Sequence, residues 1–594
     1  MATNAATRQE VDKVPLSLPG LVVSKGIAIG RARVQQHGQL DIVEYVLPQE
    51  YIEEEVGRFR HALKLARKQL KTIRARIPGD TPRDIAAFID THLLMLEDEA
   101  LAVAPIELIR QHRCNAEWAL KLQQDALVQV FDAMEDPYLR TRRDDVEHVV
   151  HRIQQFLLHE EHPPAMFGSD REEARIVVAV DLAPSDVVLL HNHRIAAIVT
   201  ERGGPLSHTA ILARSLGIPA LVGVNHIHQY IHNDELLVVD ANHGAVLTGL
   251  APSGIAFYRR AQKAERQARR ALRQLKDEPA ISQDGVPVTL RANIELSEDI
   301  SAMRRVAADG VGLYRTEFLF MNRETPPDEE EQFQTYRHTV RRMKGAPLTI
   351  RTLDLGADKE IVPGTTSCTN PALGLRAIRL CLKEPELFRP QLRAILRASA
   401  YGPIRLLIPM LTSAAEIPQV LSFIDSVKTE LSREKKHFDA TLPVGAMIEV
   451  PAAALCADIF ARAFDFLSIG TNDLMQYTLA TDRIDEEVNH LFDPLNLGVL
   501  RLIDSVLRAG EKCRTPVAMC GEMAGDATLA PLLLAMGLRE FSMPPGSVLE
   551  VKHTIRHCSI KALQHQLGTL LHQDDSALIA QRLAEMRDHH KNFI

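Results

Sequence analysis

Eight short apolar runs, RANI, VGLYRTE, TIRTLD, RLLIPM, GAMIEV, FLSIGTND, VAMCGE and EFSM, recur between Arg291 and Met543, separated by helical lengths of chain. A strand and helix unit repeated to that count predicts a β/α barrel of the TIM type, with the helices covering the strands from outside.

Several runs end in a polar side chain: Asn293, Arg315, Arg351, Glu449, Asp473 and Cys520. In a β/α barrel all strand C-termini open on one face, so these groups are expected at one mouth. Each alone has a bland account, a charged cap paired with a neighbour or, for Cys520, a core thiol. Together they form a chemical set. Arginines capture phosphate and carboxylate bidentately, and paired carboxylates suit a magnesium ion (Mg2+) that shares its remaining positions with substrate oxygens. Phosphoryl transfer needs such a clamp, because its catalysis is mainly positioning and charge neutralisation. Cys520, beside Gly521 and Glu522, is a candidate proton donor.

Upstream, no Gly or Pro interrupts Ile255 to Glu278, and Phe257, Ala261, Ala264, Ala268, Leu272 and Leu275 make a narrow apolar stripe among arginines. This predicts one long linker helix. Between Ala174 and Leu250 the strands ARIVVAV, RIAAIVT and ELLVVD alternate with turn and helix signals, an α/β pattern. LVVSKGIAIGRARV, with Gly26 and Gly30 read as turns, is expected to complete that sheet. From Ile52, the positions Val56, Phe59, Leu63, Ala66, Leu70, Ile73 and Ile77 follow at intervals of four and three, a helical seam, and helices continue through IAAFIDTHLLMLEDEA to Leu158. The helical stretch is thus an insertion in the sheet, and such insertions often carry a docking surface.

The segment GGPLSHTAILARSLGIPALVG, Gly203 to Gly223, puts a histidine where a glycine loop gives way to an apolar helix. Ser207 is a candidate N-cap, placing His208 in the first turn, where free backbone amides and the helix dipole would stabilise an attached phosphate. A capping or surface histidine is the bland alternative.

At 594 residues the chain is long enough for several cores, roughly four units at about 150 residues each. Its net charge of −8 is spread over mixed acidic and basic residues, which argues against a nucleic acid partner. The seven cysteines lack any CxxC pair, against a disulfide framework or zinc site. Met1 to Lys13 is polar with no apolar stretch behind it, and no segment reaches a membrane-spanning length, so the expected location is cytoplasmic, with no membrane contact.

The segments GGPLSHTAILAR, GVGLYRTEFLFMNR, IRTLDLGADK, IEVPAAA, SIGTNDLMQYTLATDR and MCGEMAGD are similar to those of Enzyme I of the bacterial phosphoenolpyruvate-dependent phosphotransferase system, over nearly the whole chain from about Gly20. The resemblance implies that His208 takes the phosphoryl group of phosphoenolpyruvate, releasing pyruvate, and passes it to a histidine of a carrier protein. It implies that Arg315, Arg351 and Arg483 hold phosphoenolpyruvate with Asn472 and Asp473, that Glu449 and Asp473 bind magnesium, and that Cys520 protonates the enolate. The layout it implies is a tail at 1–19, a swivelling α/β phosphohistidine domain at 20–50 and 160–252, a helical subdomain at 51–159 that docks the carrier HPr, a linker helix at 253–280, and a phosphoenolpyruvate-binding barrel at 281–594 that forms a homodimer.

Ala183 in DLAPS stands where many relatives have Thr, Ala357 replaces a Gly in a usual GGDK, and CTNPALGLR varies the usual ENPFLGWR. Leu206 and IDTHLLMLED resemble the nitrogen-related branch, which leaves HPr or an HPr-like carrier open. Two other functions stand beside this one. A pyruvate phosphate dikinase relative would need a nucleotide domain, and no glycine-rich phosphate loop precedes His208. A silent regulatory paralogue is opposed by the complete set of His, Arg, Glu, Asp and Cys.

Overall fold

The computed structural model of the chain describes residues 15–35, 42–76, 83–132, 137–158, 175–182, 195–204, 209–210, 213, 217–320, 325–355, 370–482, 488, 491–568, 578, 581–582 and 585. The chain divides into two compact units, Met1–Gln267 and Ala268–Ile594.

The first unit holds a mixed sheet of β1 (Leu16–Pro19), β2 (Leu21–Ser24), β3 (Ile27–Gln35), β4 (Arg175–Ala179), β5 (Ile195–Thr200), β6 (Ala220–Val222), β7 (Leu236–Asp240) and β8 (Ala245–Thr248), in the order β1-β8-β7-β3-β4-β5-β6-β2. β3, β4, β5 and β6 run parallel, and the other neighbours are antiparallel. Val177, Val178, Ile198 and Val199 are fully buried, as expected of strands covered on both faces. Gly26, at φ 141°, breaks β2 from β3 in a conformation that suits glycine. Gly30 does not turn the chain: it lies inside β3, opposite Leu237. β1, not foreseen from the sequence, pairs with β8.

Between β3 and β4 the chain forms the helices α1 (Ile52–Arg76), α2 (Arg83–Met95), α3 (Glu99–Ala102), α4 (Ala104–His112), α5 (Ala116–Asp132) and α6 (Pro137–Leu158). α1 buries Val56, Phe59, Ala62, Ala66, Leu70 and Ile73, while Leu63 of the expected seam is half-buried. Arg58 joins this bundle electrostatically. Its Nη2 lies 2.7 Å from both Glu55 Oε1 and Glu117 Oε2, and Glu55 Oε1 also accepts from the backbone of Ala116 at 2.6 Å.

A 23-residue helix, Pro252–Gln274, has no buried residue and carries the chain from one unit into the other. The second unit is a closed parallel barrel of β9 (Thr289–Ile294), β10 (Val311–Tyr314), β11 (Leu348–Arg351), β12 (Ile404–Ile408), β13 (Val444–Ile448), β14 (Phe466–Ile469), β15 (Val517–Met519) and β16 (Glu540–Met543), with β16 pairing back onto β9. All eight expected strands are present. Inside it, Leu313, Leu407, Met447, Phe466 and Cys520 form a cluster separate from the larger core between strands and helices. No helix among the described residues is long and apolar enough to cross a membrane.

Candidate active site at the mouth of the barrel

Arg351 is the last residue of β11 and 8% exposed. Its Nη2 lies 3.0 Å from Glu317 Oε1 and its Nη1 2.9 Å from Asp354 Oδ2. Burial opposes its charge, but Glu317 and Asp354 outweigh burial and raise its pKa, so the guanidinium stays charged. Its Nε is buried without a hydrogen-bond partner among the described residues. Asp354 also meets Arg376 Nη2 at 2.8 Å. Burial works to raise its pKa, yet Arg351 and Arg376 together hold the carboxyl below its ordinary value.

Glu449 follows β13 and is 1% exposed, with Oε1 accepting from the backbone of Met410 at 2.7 Å. Asp473 lies in the first turn of the helix Thr471–Leu479. Carboxylate oxygens of Asp354, Glu449 and Asp473 come within 4.8 Å of one another. Burial, and next the charges of Asp473 and Asp354, push the Glu449 carboxyl well above its ordinary value. These three carboxylates could hold a cation, and an all-oxygen set is the kind magnesium takes.

Cys520 follows β15 and is 3% exposed. Ser468 Oγ donates to its Sγ at 3.3 Å, and the thiol donates to the Ile469 carbonyl at 3.7 Å. Burial raises its pKa, and Glu449 adds to this against Arg351 and Arg315. Asn293 braces the same strand end, its Nδ2 3.0 Å from the Cys520 carbonyl. Arg315 pairs with Glu295 at 2.7 Å. Asn472 Oδ1 accepts from the backbone of Glu522 at 2.9 Å, and its Nδ2 reaches Glu522 Oε1 at 3.2 Å.

The barrel thus brings Arg351, Glu449 and Asp473 into mutual electrostatic reach, with Cys520 within reach of Arg351 and Glu449 and Arg315 acting on Cys520 and Asp354. Arg483, Ser207, His208, Ala183 and Ala357 lie outside the described residues, whereas Thr209, Ala210 and Ala213 are helical. Sequence reasoning passed over Glu317, Asp354 and Arg376. A carboxylate three residues beyond a strand-end arginine was the available signal for Asp354.

Three family models match the chain: PEP-utilising enzyme, N-terminal, over residues 19–142; the mobile domain of the same enzymes over 171–244; and their PEP-binding domain over 269–560. A phosphoenolpyruvate-protein phosphotransferase of Cupriavidus necator is 45% identical, covering 95% of this chain and 98% of that protein. Proteins of the same description from Listeria innocua and Haemophilus influenzae are 40% and 38% identical, covering 91% and 96% of this chain and 94% and 98% of theirs.

Proposed function

The chain belongs to the phosphoenolpyruvate-protein phosphotransferase family, and from that premise we propose which residues move the phosphoryl group from phosphoenolpyruvate to a protein. The observation that carries the reading is the buried, charged Arg351 beside Glu449, Asp473 and a protonated Cys520 at one barrel mouth.

Arg351, fixed by Glu317 and Asp354, presents a preorganised positive charge to the anionic substrate, together with Arg315, Arg483 and Asn472. Glu449 and Asp473 are the proposed magnesium ligands, and Asp354 lies within their group. When bound there, magnesium supplies neutralising charge to the phosphate and carboxylate oxygens.

Neutral His208 attacks phosphorus through Nε2. The N–P bond forms as the bond from phosphorus to the enol oxygen breaks, and its electron pair goes to the enolate. The enolate carbon then takes a proton from Cys520 Sγ to give pyruvate, and water reprotonates the thiolate. Burial supports this role, since it keeps the thiol protonated at neutral pH. HPr or an HPr-like carrier then accepts the phosphoryl group, docking on the helical segment 51–159. Assembly as a homodimer through the barrel is proposed on the family resemblance.

The test is incubation with labelled phosphoenolpyruvate and magnesium, comparing wild type with His208→Ala. Acid-labile, alkali-stable label on the wild type alone is expected. Label of equal extent on His208→Ala, or none on active wild type, overturns the assignment.

A further inference from the structure

A second cluster of ligating side chains belongs to the N-terminal unit. His92 on α2 and Asp145 and His148 on α6 each offer one ligand atom, and these atoms lie within 4.8 Å of one another. Asp145 and His148 are three residues apart, a spacing that puts both on one helix face. His92 is 1% exposed and Asp145 5%. The His92 and His148 ring centroids are 6.4 Å apart. His148 Nε2 stands 3.9 Å from Asp181 Oδ2, and its Nδ1 is buried with no hydrogen-bond partner among the described residues.

His92 Nε2 and Asp145 Oδ1 are 3.8 Å apart, longer than a good hydrogen bond. Bonds of about 2.0–2.1 Å in a tetrahedron put ligand atoms about 3.3 Å apart, so modest side-chain movement closes this group on an ion.

The geometry points to a binding site for a zinc-type divalent transition-metal ion, held by His92, Asp145 and His148, with Asp181 as the carboxylate that orients His148. Two imidazoles and a carboxylate favour zinc, cobalt or nickel over magnesium, whereas the all-oxygen barrel cluster has the opposite preference. A carboxylate behind a ligating histidine is the usual supporting contact.

Its consequence reaches the phosphoryl chemistry. Asp181 precedes Leu182, whose carbonyl accepts from Thr209 Oγ1 at 3.0 Å, and Thr209 follows His208 in the chain. An ion at the cluster ties α2 and α6 to the segment that contacts the residue next to the phosphoryl acceptor. That link rests on the function proposed above; the binding itself does not.

The probe is cobalt(II) alone, titrated into chelator-stripped full-length protein under excess magnesium and followed by its visible absorption. One equivalent is expected to give a band that zinc abolishes by displacement. His92→Asn and His148→Asn, with far-UV circular dichroism unchanged, should each remove the band. Asp181→Asn should weaken cobalt binding by about tenfold to a hundredfold, and Asp473→Asn should leave it intact. No band in the wild type, or a band that survives both histidine variants, overturns the site. Should the histidine variants lose their fold, imidazole nuclear magnetic resonance of the wild type decides: zinc must shift two ring signals, and their remaining still overturns the site. Phosphohistidine labelling, measured separately, reports on His208 and not on the ion.

Discussion

Arg351 and Asp354, three residues apart, form a buried pair with Nη1 and Oδ2 at 2.9 Å, and each holds a further partner, Glu317 for the arginine and Arg376 for the aspartate. The charge proposed to meet the substrate is therefore anchored by fixed partners before any substrate arrives.

Arg351→Lys keeps a charge but loses the planar fork. Its kcat/KM for phosphoenolpyruvate is expected to fall about a hundredfold or more. Asp354→Asn leaves Arg376 without its charge partner at 2.8 Å. Breaking one side of a buried network costs about 3–5 kcal/mol. Denaturant unfolding of the barrel, followed by circular dichroism, checks this; wild-type stability in Asp354→Asn refutes it.

Gly470, between β14 and the helix bearing Asp473, has no room for a side chain. A Cβ there would sit 2.7 Å from Glu449 Oε2 and 2.9 Å from Glu449 Cβ. Gly470→Ala should cost about 1–3 kcal/mol through overpacking and weaken magnesium binding by displacing the carboxylate. Calorimetric magnesium titration reads the second effect, and unchanged affinity contradicts it.

For Cys520 the acid form is the competent one, and burial raises its pKa above the ordinary 9.0. Its contribution is therefore complete at neutral pH and is lost as pH rises through the raised value. Cys520→Ala should slow pyruvate formation by about 10²–10⁴ and remove that alkaline limb from the pH profile. A limb persisting in Cys520→Ala assigns the proton to another group.

Burial works to raise the Glu117 pKa, but the Arg58 hydrogen bond and charge win and lower it. A carboxyl depressed by folding stabilises above its unfolded pKa of about 4.3, and that stabilisation is lost as pH falls through the folded value. Arg58→Met should cost about 3 kcal/mol at pH 7, the low end for a buried pair, because the Arg58 side chain is 28% exposed. The deficit should shrink below about pH 4. Trp118 is the sole tryptophan and lies in α5, so its fluorescence follows this unit's unfolding.

The barrel was legible because each strand is a short apolar run and several end in a polar side chain, so Arg351, Glu449 and Cys520 announced themselves at strand ends. Glu317, Asp354 and Arg376 lie past strand ends, where no periodicity tells which way a side chain faces. Their pairing is also long-range: Asp354 and Arg376 are 22 residues apart. β1 escaped notice because four residues ending in proline carry almost no alternation, and the strand exists through β8. His208, read from its place at the start of a helix, and Arg483, read from the family resemblance alone, lie outside the described residues.

The sheet's wiring dictates an order of assembly. β1, β2 and β3 are synthesised first, yet β1 pairs with β8, β2 with β6, and β3 with β7 and β4, all made after the helices α1 to α6. Their contacts are distant in sequence and slow to form, while the helical contacts are local and fast. A nascent chain arrested before Arg175 would carry a folded bundle preceded by strands still waiting for partners, and proteolysis of such arrested chains should cut first within residues 16–35. The unit that contains His208, the proposed phosphoryl acceptor, is thus completed from its middle outwards, its first-made strands being among the last to be enclosed.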